Sequence, residues 1–331
     1  MSLKVTTVGC GSWGTALGNL FADAGHESVI WGRDADVIAS INREHMNQKY
    51  LAGKPLSVRL SASGDLAASL KRADAIVCSI PTQRIRPVFA PFAEHLEGKI
   101  LINTSKGMEM GTRLRVSEIF QAMGVNVHYV VLSGPSFAKE VVEQQPTAVT
   151  VASTDHALAL KIQQSVFTPY FRAYTTADVV GVELAGALKN VIALATGIVR
   201  GRKLGFNAQA AVINRGMAEI VRMGKKLGAD PATFLGLAGM GDLVLTCTGP
   251  LSRNLQAGML IGEGKPLEQI VETLGGVAEG IYTAQSAYEL ATERGIDMPI
   301  LGEIHAILYE GKTPEKAVAS LMGRDLREET D

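Results

Sequence analysis

VTTVGCGSWGTALGNLFADAG, residues 5–25, decides how the chain begins to fold. A β-branched run ends at Gly9, and apolar Trp13, Leu17, Leu20 and Phe21 then recur at helical spacing as far as Gly25. The order is strand, glycine turn, helix. Gly9, Gly11 and Gly14 have GxGxxG spacing: the first permits the turn, the second lets backbone approach a pyrophosphate, and the third lets the helix pack closely. The helix start then offers free N–H groups to an anion. A glycine-rich chain also makes such turns without a ligand, but a strand before and a helix after favour a dinucleotide site.

Working outward, a second strand, SVIWG, follows at once. Apolar runs at 75–80 (AIVCSI), 100–103 (ILIN) and 129–132 (YVVL) recur with helical stretches between them. That alternation predicts an α/β fold, a Rossmann-type doubly wound, mainly parallel sheet covered on both faces. Two β-like runs, 147–153 and 171–176, extend it. After Asp178 the texture changes to Ala/Leu/Gly-rich helical segments at 179–199, 209–227, 267–274, 282–294 and 300–309. A boundary near Ala177 gives a dinucleotide-binding domain over 1–177 and an all-helical domain over 178–331. The charged end GRDLREETD reads as a solvated terminus.

A length of 331 residues accommodates two domains. Net charge of −1 supplies no long-range field for nucleic acid or a membrane surface, so a charged ligand must be held locally. Cys10, Cys78 and Cys247 are scattered, without CxxC or His-rich neighbours, so neither a disulfide framework nor a metal site is indicated. With no secretory signal and no uninterrupted apolar span, a cytoplasmic protein without integral membrane association is expected.

Where the second strand ends, Arg33 and Asp34 stand near the position that reads the adenosine ribose. Arg33 suits a 2′-phosphate or stacks on adenine, whereas a carboxylate there accepts from a 2′-OH. NADP is therefore favoured, with NAD tolerated through Asp34; a solvated loop arginine is the competing explanation.

In GALKNVIALATGIV, residues 186–199, Lys189 is the sole ionisable group. Either it snorkels to water or it faces a cleft with partners, since an unpaired buried charge costs several kcal/mol. Asn190 beside it, and Gly186 and Ala193 on the same helical face, favour the cleft; in apolar surroundings its pKa falls towards neutrality. Asp242, inside the apolar run 239–245, is its candidate partner. Ser252, Arg253 and Asn254 after a Gly-Pro turn suit a phosphate, although Ser252 also fits as a helix cap with Arg253 on the surface. SGPSFAKEV (133–141) and Lys106 in NTSKG follow strands at the sheet edge where open α/β folds bind ligands.

GCGSWGTALG, NTSKG, SGPSFAKEV, ELAGALKN and GMGDLVLTCTGPLSRN, in that order, resemble the bacterial-type NAD(P)-dependent glycerol-3-phosphate dehydrogenases over nearly the whole chain. The resemblance implies reversible reduction of dihydroxyacetone phosphate to sn-glycerol 3-phosphate, feeding phospholipid synthesis. It also implies a homodimer whose helical domain is like that of 6-phosphogluconate dehydrogenase. It makes Lys189 the catalytic acid/base; in the mechanism expected from the residues, Asp242 holds that amine and Thr246, one helical turn on if the segment is helical, joins the network. Lys106 would contact substrate and cofactor; Gly134, Ser136, Asn190, Asp242, Ser252, Arg253 and Asn254 the substrate; and Ala138 and Arg253 the cofactor. Ser12, Trp13 and Arg33 would line the dinucleotide, and GGVAEG would add Val277 and Glu279. Two rivals stay open: a related 3-hydroxy-acid dehydrogenase, and a protein that senses NADP without chemistry.

Overall fold

The computed structural model describes residues 2–275, 278–326 and 328–329. The chain runs β1 (Lys4–Val8), α1 (Ser12–Asp23), β2 (Glu27–Trp31), α2 (Ala35–Glu44), β3 (Leu60–Ser63), α3 (Leu66–Arg72), β4 (Ala75–Cys78), α4 (Ile85–Phe89) and β5 (Ile100–Asn103). It continues through α5 (Val116–Ala122), β6 (His128–Ser133), α6 (Ala138–Val142), β7 (Thr147–Ala152), α7 (His156–Ser165) and β8 (Phe171–Thr176). These eight strands form one sheet in the order β3-β2-β1-β4-β5-β6-β7-β8. Every neighbouring pair is parallel except β6 with β7. The order reverses direction between β1 and β4, which opens a crevice at the carboxyl ends of the strands. β4 and β5 are buried throughout because helices cover both faces of the sheet.

The rest is helical: α8 (Val179–Gly201), α9 (Phe206–Lys226), α10 (Asp242–Thr248), α11 (Arg253–Gly262), α12 (Leu267–Thr273), α13 (Glu279–Arg294), α14 (Pro299–Tyr309) and α15 (Pro314–Met322). Strand β3 and helix α15 were not anticipated from the sequence, α10 and α11 were left open there, and α9 starts earlier than expected. Helix α8 is buried from Gly181 to Val199, which accounts for its nearly charge-free composition. Its length and hydropathy would suit a membrane span, yet its most apolar window lies wholly inside the protein.

Helix α11 approaches α8 through glycines on both sides. A Cβ on Gly258 would stand 2.1 Å from the Leu194 carbonyl oxygen, and one on Gly197 would stand 2.3 Å from that of Leu255. Backbone cannot yield as a side chain can, so Gly258→Ala is expected to cost about 1–3 kcal/mol, the usual penalty for overpacking. A lower urea midpoint with an unchanged slope checks this; an unchanged midpoint contradicts it.

Candidate active site

The glycine turn at the end of β1 has the geometry its spacing implied. Gly9 sits at φ 118°, and a Cβ there would lie 2.3 Å from the Ser79 carbonyl oxygen. Gly14 packs against the turn itself, with the Gly9 carbonyl 2.0 Å from where its Cβ would be. Gly11 differs: nothing lies within 4 Å of its would-be Cβ. The helix behind it has no side-chain cap and no acidic residue in its first turn. Open space in front of uncapped N–H groups fits a pyrophosphate. Ser12 donates to the Tyr50 carbonyl at 3.0 Å, tying the helix start to the segment after α2.

Beyond β2, Arg33 is exposed. Asp34 caps α2, accepting from Asp36 and Val37 N–H at 3.0 and 3.3 Å, and pairs with Lys49 at 2.8 Å. Its carboxylate already has three donors, a use that sequence alone did not reveal.

A second centre forms where α8 meets α10. Gly236 to Gly241 close a π-helical turn, with Gly241 N–H on the Gly236 carbonyl at 3.2 Å, and Asp242 follows as the first residue of α10. That places the carboxylate, 2% exposed, inside the protein. Lys189 donates to its Oδ1 at 2.7 Å, and Lys106 to its Oδ2 at 2.6 Å. Lys189 also donates to Thr246 Oγ1 at 2.6 Å, and that hydroxyl donates to the Asp242 carbonyl at 2.6 Å. Burial pushes the Lys189 amine down to about 8; the nearby Lys106 charge acts the same way, while Asp242 opposes both. Burial alone would raise the Asp242 pKa, but the two ammonium groups outweigh it and hold the carboxyl below its ordinary range.

In front of this cluster lies a cavity of about 200 Å³. Trp13, Lys106 and Ser136 line it from the sheet domain, and Asn190, Arg253, Asn254 and Glu279 from the helices. Thr104 also lines it and was missed by sequence reasoning, as a threonine at a strand end carries no distinctive signal. Lys189 and Asp242 stand one layer behind this wall, joined to it through Lys106.

Other expected residues are placed as follows. Gly134 accepts from Lys106 Nζ at 3.4 Å and from Ser136 Oγ at 3.0 Å through its carbonyl. Ala138 opens α6 and packs against the sheet-domain core. Ser252 caps α11, its hydroxyl accepting from Leu255 N–H at 3.2 Å, and it does not line the cavity. Asn254 accepts from Gly280 N–H and donates to Asn190 Oδ1, both at 2.9 Å. Asn190 in turn donates to the Lys106 carbonyl at 3.3 Å, so this amide chain braces α8, α11, α13 and the loop after β5. Val277 lies outside the described residues.

A dinucleotide turn on a doubly wound sheet, faced by helices that bring a buried lysine to the same crevice, defines a two-domain NAD(P)-dependent oxidoreductase. Within that class the chain belongs to the NAD-dependent glycerol-3-phosphate dehydrogenase family, whose N-terminal pattern matches residues 4–159 and whose C-terminal pattern matches residues 178–319. It is 46% identical over 333 residues to the glycerol-3-phosphate dehydrogenase (NAD(P)+) of Geobacter metallireducens, covering 99% of both chains. It is also 46% identical to that of Geobacillus kaustophilus, covering 99% of this chain and 96% of the relative. The crystal structure of the Coxiella burnetii glycerol-3-phosphate dehydrogenase superposes with a TM-score of 0.92 at 36% identity, over 97% of this chain and 98% of that one. The fold class read from the sequence is thus the fold of its relatives.

Proposed function

We propose that the protein interconverts dihydroxyacetone phosphate and sn-glycerol 3-phosphate in the cavity between residues 1–177, which hold the dinucleotide, and residues 178–331, which hold the substrate. The observation that carries this reading is one buried carboxylate, Asp242, holding two lysines beside a cavity that is also lined by Arg253 and by Trp13 of the glycine-turn stretch. When bound, the nicotinamide supplies or accepts the hydride at the substrate's C2. Lys189 gives its proton to the C2 oxygen in reduction and takes it back in oxidation. Two of its three N–H bonds are held by Asp242 and Thr246, which leaves the third for the substrate. Asp242 keeps the amine charged against the cost of burial. Arg253 and Lys106 take the substrate's phosphate, with Ser136 and Asn254 at its edge, so that remote binding energy orients the reacting carbon. Gly134, Asn190 and Ser252 support these contacts, while Ala138 and Glu279 border the cofactor.

One observation favours a second assignment of the proton. Lys106 lines the cavity and Lys189 stands behind it. The alkaline limb of the pH profile decides between them, as argued in the Discussion.

With Arg33 exposed at the adenosine end and Asp34 engaged by α2 and Lys49, NADP is the preferred coenzyme and NAD the weaker one. A homodimer in the cytoplasm, supplying glycerol 3-phosphate for phospholipid synthesis, completes the proposal. Loss of 340 nm absorbance when NADPH is mixed with dihydroxyacetone phosphate tests it. Oxidation of 3-hydroxyisobutyrate in preference, or NADPH binding without turnover, overturns it. Arg33→Ala is expected to raise the KM for NADPH roughly tenfold, the loss of one charge-assisted contact, and to leave that for NADH nearly unchanged. Equal effects on both coenzymes contradict the role given to Arg33.

A further inference from the structure

Between α2 and β3 the chain buries Asn47 completely, against the glycine turn. Both N–H bonds of its amide go to that turn: Nδ2 donates to the Cys10 carbonyl at 3.0 Å and to Thr15 Oγ1 at 2.8 Å. Its Oδ1 accepts from Tyr50 N–H at 3.2 Å. These partners leave the amide one orientation, since a carbonyl can only accept and a backbone N–H can only donate. Thr15, also buried, adds a second donor to the Cys10 carbonyl at 3.2 Å. Ser12 closes the clasp from the other side by donating to the Tyr50 carbonyl. Leaving any of these buried groups without a partner is costly, so the Cys10 carbonyl has one direction, into the protein.

We infer that Asn47 is a positioning residue for the dinucleotide: it holds the Cys10–Gly11 peptide with its carbonyl turned inward, so that only N–H groups meet the pyrophosphate. A trans peptide carries its C=O and N–H on opposite sides, so a carbonyl held on Asn47 directs the Gly11 N–H away from that side chain. Glycines flank Cys10, and Gly9 stands at φ 118°, so this peptide rotates easily unless something holds it. Rotated by half a turn, it would set the negative end of a carbonyl against an anion, where Gly11 leaves open space. Fully buried, Asn47 has no surface to offer the ligand and acts through the backbone alone.

The inference rests on the dinucleotide lying over this turn, and the choice of ligands separates the two. Dissociation constants are measured by calorimetry for NADP and for adenosine 2′-phosphate, the part of NADP that lacks the pyrophosphate. Asn47→Asp keeps an acceptor for Tyr50 N–H and loses the donor to Cys10; Asn47→Leu loses both, keeps the volume and adds no charge. The missing donor is what the two variants share. Each is expected to bind NADP roughly tenfold or more weakly, the size of one N–H bond to a charged group, and to bind adenosine 2′-phosphate as wild type does. Thr15→Val removes the second donor and should weaken NADP roughly threefold to tenfold, the size of one neutral hydrogen bond; Thr15→Ser, which keeps the hydroxyl, should bind it as wild type does. Equal losses for the two ligands would mean that Asn47 holds the domain as a whole, and they overturn the inference. So does NADP affinity that survives either Asn47 variant. If neither of those variants folds, undiminished NADP affinity in Thr15→Val overturns it equally. A wild type that binds NADP no more tightly than adenosine 2′-phosphate overturns the reading of the turn as a pyrophosphate site.

Discussion

Replacing Lys189 by methionine is expected to lower turnover at least about a hundredfold at neutral pH, the lower end of what a general acid contributes. Methionine matches the length of the buried stem and removes only the amine, while Asp242 keeps Lys106 at 2.6 Å. The fold should therefore survive. The pH dependence is the sharper readout. With the amine at about 8, its proton is present below that value and lost above it. Reduction should fall as pH rises through about 8, and oxidation, which needs the neutral amine, should rise. Both limbs should vanish in Lys189→Met. Linkage gives a companion sign: between about 8 and the ordinary 10.5 the folded protein binds fewer protons than the unfolded chain. This group's contribution therefore makes stability grow with pH across that window, and methionine should flatten it. An alkaline limb that persists in Lys189→Met but disappears in Lys106→Met would move the proton to Lys106.

What the sequence revealed of this site depended on how local the signal was. The turn at Gly9, Gly11 and Gly14 was legible because strand, glycine spacing and helix lie within one short stretch, and the backbone there follows from it. Lys189 and Asp242 were legible for another reason: each is a charge set in an apolar run, and two such anomalies explain one another. The Lys106 contact to Asp242 was not, because its partners are 136 residues apart and Lys106 sits in a polar loop where a lysine looks ordinary. Ser252 kept two meanings until its environment was known, since a hydroxyl before a helix serves equally as cap and ligand; here it caps α11. Asp34 is similar, its carboxylate spent on α2 and Lys49. Helix α10 stayed conditional because the glycine-rich segment before it winds as a π turn, which breaks the 3.6-residue pattern. Strand β3 is a short edge strand with only Leu60 buried, too little apolar sequence to register.

Asp242→Ala is expected to be more damaging than the loss of either lysine. It leaves two ammonium groups facing the space of one carboxylate, and breaking a buried pair from one side costs about 3–5 kcal/mol. Asp242 is also the principal group holding the Lys189 amine up against burial and against Lys106. Without it the amine falls below about 8, so less of it keeps its proton at neutral pH, and it loses the contact that aims it; turnover should drop by more than about a hundredfold. A double-mutant comparison separates charge from packing. If uncompensated charge is the cause, Asp242→Ala combined with Lys189→Met should be more stable than Asp242→Ala alone, by a measurably higher urea midpoint, and no more active. If the double variant is as unstable as the single one, the carboxylate's main contribution is packing beneath the π turn, and its place in the proton chemistry fails. Asp242→Asn is the intermediate case: its amide oxygen accepts from one lysine and its nitrogen from none, so one ammonium loses its partner while volume is kept. Stability between wild type and Asp242→Ala, with activity as low as in Asp242→Ala, is the pattern that a carboxylate shared by two lysines requires.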